Sequence, residues 1–404
     1  MTKRKQSKLS TKILLGLVAA GMTFGMSGTA QATVTGSGTA EDPTVIIGTS
    51  TSETIFHNQI PHVPTYVYGD IKDNTQTYAG SYAVSDAGGV YLQVYVDPVA
   101  EKVVTPEVTF VGEISGNSVN TTTFRAEGGS VFSKGANSTF IDTPITNNKA
   151  ISGDFAHGGA IATHYNGNTK TVNGKTYTYT IPATVTFKVT ENRNIAYTGN
   201  DISVPEKDYN NFDDYLDVAV APSGGGFLSV YARDTATFDV AEGGTLTIGN
   251  ETPATATEDS ISSAIVHAAG VADPAIVKTG TGTLTINSNL NRYYGTYTQE
   301  AGTVNLNQDL NVDNTYTLQA GTLNMKDVTI DDRYDKLAAE NLVGDNVTKS
   351  SDGTTLALAI HFDWFNSDYN RTVANSKGSL VTAAGTTANA DNITLKDGGS
   401  INAA

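Results

Sequence analysis

Residues Ile276–Met325 read IVKTGTGTLTINSNLNRYYGTYTQEAGTVNLNQDLNVDNTYTLQAGTLNM, and one short phrase returns three times within them. It stands as GTLTI at Gly282–Ile286, GTVNL at Gly302–Leu306 and GTLNM at Gly321–Met325, with a fourth copy, GTLTI, upstream at Gly244–Ile248. Glycine to glycine, the steps are 38, 20 and 19 residues, which fits a ladder of about 19–20 with one rung unmarked. Within the phrase, Thr or Asn alternates with Leu, Val, Ile or Met, the pattern of a strand with one buried face. The leading glycine supplies a corner that can adopt positive φ. Short strands returning at this period predict an all-β chain wound as a right-handed parallel β-helix. Leu246, Ile248, Leu284, Ile286, Val304, Leu306, Leu323 and Met325 are expected in its interior. With about 20 residues per coil, some 370 residues would make about 18 coils and a rod of order 90 Å.

Upstream of the repeat the chain opens with Lys3, Arg4, Lys5, Lys8 and Lys12, an apolar run Ile13–Met26, and Ala30-Gln31-Ala32. This is the pattern of a secretory signal peptide over residues 1–32, set apart from fold reasoning. The run of about 14 residues is short for a membrane helix, and no later stretch approaches the ~20 that one needs. Removing the leader takes five basic and no acidic residues from a chain of formal charge −16, leaving −21. That balance argues against nucleic acid and anionic lipid as direct partners. Cysteine is absent, so no disulfide framework exists. Abundant Gly, Thr, Asn and Tyr suit turn-rich β-structure.

The remainder divides by regularity. Residues 33–111 read as an irregular N-terminal cap with strands at Thr44–Ile47, Thr65–Tyr68, Gly89–Val96 and from Val103. Residues 112–250 read as β-helix with long loops; Gly128-Gly129 and Gly158-Gly159 mark weaker corners, and a ladder of stacked asparagines would fit at Asn147 and Asn148. Tyr177–Val189 reads as two strands broken at Pro182, and Asn192–Asp217 as a projecting acidic loop. Residues 251–330 hold the repeats, and 331–404 further coils, with one short helix expected in Tyr334–Leu342. The Gly398-Gly399 corner still follows the ladder near Ala404, which leads to the expectation of one piece of a longer protein.

Lys278, Gly280, Gly282 and Leu284, then Tyr294, Gly295 and Thr296, then Ala301, Gly302 and Thr303 resemble the passenger-associated strand repeat of bacterial autotransporters. Gly158-Gly159-Ala160-Ile161 also resembles the GGAI element of polymorphic outer-membrane protein repeats. The resemblance implies a type V secretion passenger, exported by the Sec machinery and folded outside the cell. The absence of cysteine suits passage of an unfolded chain. The family's terminal outer-membrane barrel is not expected within these residues, which end in Asn402-Ala-Ala and show no such run of amphipathic strands. Expected partners are a host-cell, matrix or bacterial surface ligand, with no cofactor.

Catalysis finds little support in the residue pattern. The autotransporter protease string Gly-Asp-Ser-Gly has only Gly153-Asp154-Phe155 as its nearest counterpart, without the nucleophile. His157 and His164, with Asp154, could ligate a metal, but no further ligand has diagnostic spacing. Asp208, Asp213, Asp214 and Asp217 offer hard oxygens for calcium, though no calcium-loop motif is present. For a β-helical lyase or glycoside hydrolase the carboxylates would be Asp213, Asp214 and Asp217, or Asp331 and Asp332 beside Arg333. Tyr293, Tyr294 and Tyr297 could form a carbohydrate platform or serve only as sheet pairs. The favoured reading is a non-catalytic adhesive or structural surface module, against a polysaccharide-active enzyme.

Overall fold

The computed structural model describes residues 33–35, 44–47, 65–78, 84–122, 125–153, 155–204, 224–263, 271–339, 343, 347–362, 367–396 and 398–404. The four copies of the repeated phrase lie side by side. Thr245–Ile248 pairs in parallel with Thr283–Ile286, which pairs with Thr303–Leu306, which pairs with Thr322–Met325. Their apolar residues form two interior columns. Leu246, Leu284, Val304 and Leu323 make one; Ile248, Ile286, Leu306 and Met325 make the other, and none is more than 7 % exposed. Each such side chain taken from water contributes about 1.5–3 kcal/mol, so the stack is its own core.

The direct pairing of Thr245 with Thr283 removes the unmarked rung. The 38-residue step is one large coil, its extra length spent on the loop after Ile248 and on the strand Ile261–Ser262 of a five-stranded sheet, before the strand Ala275–Thr279 of the twelve-stranded sheet. The glycines also divide their work. Positive φ falls on Gly302 and Gly321, but on Gly243 and Gly280 in the earlier copies. Gly282 is required for close approach, since a Cβ there would sit 2.2 Å from the carbonyl oxygen of Ala241.

Five stacked sheets define the coils. Sheet I has twelve strands, eleven of them parallel, running from Thr44–Ile47 to Ser400–Ala403; its first strand, Thr33–Thr35, is antiparallel. Sheet II has ten strands and carries the repeats. Sheets III, IV and V hold four, three and five strands, contributed by the earlier coils. Eleven parallel strands at 4.7–4.9 Å make a stack of about 50 Å. The coils are fewer and larger than the 20-residue ladder suggests: Val108 lies beside Ser138, 30 residues on, and Ser138 beside Val185, 47 on. Parallel stacking already begins with Thr44–Ile47 against Thr65–Tyr68, inside the stretch read as an irregular cap.

Two interior ladders bind the early coils. Phe110, Phe140, Phe187 and Phe238 stack in sheet I, ring centroids 4.9, 5.4 and 5.1 Å apart. Asn74, Asn117, Asn148 and Asn200 form the polar one. The Oδ1 of each later asparagine accepts the backbone N–H and side-chain amide of the one before, and the Asp259 carboxylate closes the series. The ladder at Asn148 is therefore present; Asn147 instead takes φ 57° at the turn. Satisfying buried amides this way avoids a penalty of about 1–3 kcal/mol per group.

Two elements leave the stack. One is the hairpin Asn166–Val172 with Lys175–Ile181; past Pro182 the chain returns to the stack as Thr184–Val189, the break its sequence suggests. Its inner face, with Val172, Tyr177, Tyr179 and Ile181, packs on Val94, Val96 and Val103. The other excursion holds helix α1 (Arg333–Ala339) and an antiparallel sheet of Val347–Lys349, Thr355–Phe362 and Ser367–Ala374. Beneath α1, Asp313 binds Arg333 Nε at 2.9 Å and Lys336 Nζ at 3.0 Å, all three almost fully buried. The two cations hold the Asp313 carboxyl below its ordinary range against the opposing effect of burial.

Candidate functional site

Several residues singled out by sequence have structural roles. Tyr293, Tyr294 and Tyr297 are 1 %, 0 % and 9 % exposed, so they are no platform for a sugar. Tyr297 takes the interior register position of Ile276, and its ring stacks on Tyr316 at 5.3 Å. Asp331, Asp332 and Arg333 are likewise buried rather than grouped in a solvated loop. Asp331 pairs with Lys396 at 2.9 Å, Asp332 pairs with Lys349 and caps α1 through the Asp335 N–H, and Arg333 belongs to Asp313. With Asp335, the two aspartates are the one group of three metal-ligand-type side chains found among the described residues, and lysines already balance two of the charges. Asp154, Asp208, Asp213, Asp214 and Asp217 lie outside the described residues. The span Asn192–Asp217 is not one loop, because Asn194–Thr198 and Asp201–Ser203 are strands of the stack.

His157 and His164 separate into two settings. His157 stands in register with Glu127, itself in register with Asp86, and is 4 % exposed. Arg125 binds Glu127 at 3.1 Å beside it. Burial, then the nearby Arg125 and His164 charges, push the His157 imidazole down to about 3. It is a neutral ring inside a polar column, closed to solvent.

His164 sits at the end of the sheet V strand Ile161–His164, where the chain leaves for the hairpin. Its ring stacks on Tyr231 at 4.1 Å and lies 5.1 Å from Tyr165. The Arg233 guanidinium lies 5.6 Å from the Tyr165 ring centroid. Lys134 occupies the neighbouring register position to His164. Burial brings the His164 imidazole down to about 4, so this ring is neutral near pH 7 and the positive charge belongs to Lys134 and Arg233. All five side chains are half-buried. Among the described residues neither Lys134 nor Arg233 has a carboxylate within salt-bridge range, whereas Lys72, Lys326, Lys349 and Lys396 each do. Arg233 also holds φ 68°, a backbone conformation that non-glycine residues adopt at a cost and that concentrates at functional positions.

The outward face of the hairpin continues from this cluster. Tyr165 lies over Gly167, with ring carbons 3.5 and 3.9 Å from where a Cβ would be. Beyond it, Thr169 faces Thr178 and Thr171 faces Thr176, hydroxyl to hydroxyl at 3.0 Å in both pairs. The result is a strip with aromatic rings and two cations at its root and paired hydroxyls along its length. Nothing in composition or spacing announces it, since Tyr165 and Tyr231 are 66 residues apart and meet only through coil register. Comparison with known protein families, with curated proteins and with solved structures finds no match for this chain.

Proposed function

We propose that this chain is an exported, surface-displayed passenger of the autotransporter type, acting as an adhesive or structural module and not as a catalyst. The observation that carries the reading is the repeat itself. Its glycine-cornered strands stack in register as a continuous interior, with Leu284, Ile286, Val304 and Leu306 at 2–4 % exposure, and so serve as scaffold. Chemistry that meets other molecules then falls to what leaves the stack, chiefly the hairpin 166–181. The basic leader and the absence of cysteine support export as an unfolded chain. Expression in a two-membrane bacterium tests this. The expected product begins after Ala32 and is reached by external protease or found in the medium; an uncleaved product held in the cytoplasm would contradict it.

A further inference from the structure

We propose that the strip running from Lys134, His164, Tyr231 and Arg233 across Tyr165 and along the threonine face of the hairpin binds an acidic polysaccharide. The inference deepens the display reading and rests on it only for the setting, because the binding itself is a property of the purified chain.

Each part of the strip matches one part of such a ligand. A sugar ring presents a face of C–H groups, which packs against an aromatic face; Tyr165 and Tyr231 offer half-buried rings held in place by neighbours rather than free to rotate. A uronate carboxylate or a sulfate requires a cation that is not already neutralised. Arg233 and Lys134 meet that requirement, whereas Lys72, Lys326 and Lys396 each already hold a carboxylate. Guanidinium groups suit carboxylate and sulfate especially, since their forked N–H groups match two oxygens at once. Sugar hydroxyls require partners that both donate and accept, and Thr169, Thr171, Thr176 and Thr178 supply them along the hairpin. No carboxylate interrupts that outward face, so the strip is locally free of the negative charge, −21 after the leader, that disfavours polyanions over the rest of the chain. Lys170 stands exposed on the hairpin's other face, so the projecting element itself adds positive charge.

The test uses the full chain and two acidic polymers, polygalacturonate for carboxylate and heparan sulfate for sulfate, with neutral dextran as the control. Binding to at least one acidic polymer, weakening as salt rises and absent for dextran, is expected. Arg233→Gly, which suits the positive φ, and Tyr165→Ala should each weaken that binding at least tenfold while the thermal melt stays close to that of the parent. Lys326→Ala removes one cation in a late coil, where Lys326 pairs with Asp309, and should leave binding unchanged. Overturning results are no binding to either acidic polymer, equal binding to dextran, or acidic binding that survives both strip substitutions. If purified chain binds as expected while surface export fails, the display reading is lost and the site stands; the converse pattern removes the site alone.

Discussion

The early and late coils solve the same stacking problem by different means. Around Asn117 and Asn148 a coil takes 30 residues or more and visits five sheets, so its turns enclose buried polar groups that an internal amide ladder must satisfy. Around Val304, from Thr303 to Thr322, a coil takes 19 residues and the asparagines of its repeat strand stand on the outer face, Asn324 donating to Asn305 and Asn389 to Asn324 at 2.8 Å. The same residue type in the same stacked geometry thus faces opposite surroundings. An asparagine ladder should be essential in the first region and dispensable in the second.

The largest expected effect lies beneath α1. Asp313→Ala would leave Lys336 buried without its counter-charge and Arg333 with only Asp273 at 3.8 Å, and a loss of about 3–5 kcal/mol is expected in chemical denaturation. Phe187→Ala should cost the early coils a similar ~3–5 kcal/mol, because it opens a void in the middle of the phenylalanine stack. Asn148→Ala should cost about 2–3 kcal/mol, since Asn117 loses its acceptor and the carbonyls of Ile114 and Thr146 lose a donor. Asn324→Ala, on the outside, should change stability by under ~0.5 kcal/mol. Equal effects for the two asparagines would remove the distinction between the regions.

Acid sharpens the same contrast. His157 and His164 belong to the early coils, with folded-state values of about 3 and about 4 against an ordinary 6.5. Above pH 6.5 neither affects stability. As pH falls from 6.5 toward 3, the unfolded chain binds protons that the folded chain refuses, and stability declines. Arg125, Glu127 and His164 face His157, and the Arg125 charge reinforces that refusal. Asp259, pushed up to about 6 by burial, acts in the opposite direction between pH 6 and 3.8, because its folded form accepts the proton first. Hydrogen exchange should therefore show protection falling between about pH 6.5 and 4 in strands such as Phe155–His157, and His157→Gln should flatten the decline. A decline that the substitution leaves unaltered would assign the acid response to other groups.

How much of this could be read beforehand follows from coil size. In the tight coils the phrase recurs every 19 or 20 residues, so the interior positions of Leu284, Ile286, Leu306 and Met325 are visible in the sequence. In the early coils many strands have two to four residues, such as Ile114–Ser115, too few for alternation to register. Asn74, Asn117, Asn148 and Asn200 are separated by unequal steps because each coil carries a different insertion, which hides their common column. The tyrosines show the cost of reading proximity in sequence as a surface. Tyr293, Tyr294 and Tyr297 are close in sequence and buried, and the alternation Thr296-Tyr-Thr-Gln already places Tyr297 on the inner face. Tyr165 and Tyr231 are distant and come together only when the register is known.

That register is most directly tested by cross-linking, which a cysteine-free chain makes clean. Thr247 and Thr285 are direct neighbours across sheet II if the 38-residue step is a single coil. Their separation would then be about 4.8 Å, within disulfide range, whereas an intervening rung would place them about 9.6 Å apart, beyond it. Thr247→Cys with Thr285→Cys is expected to oxidise to one intramolecular disulfide, matching a control pair at Thr285 and Asn305. Failure of the first pair while the control closes would contradict the stack described above.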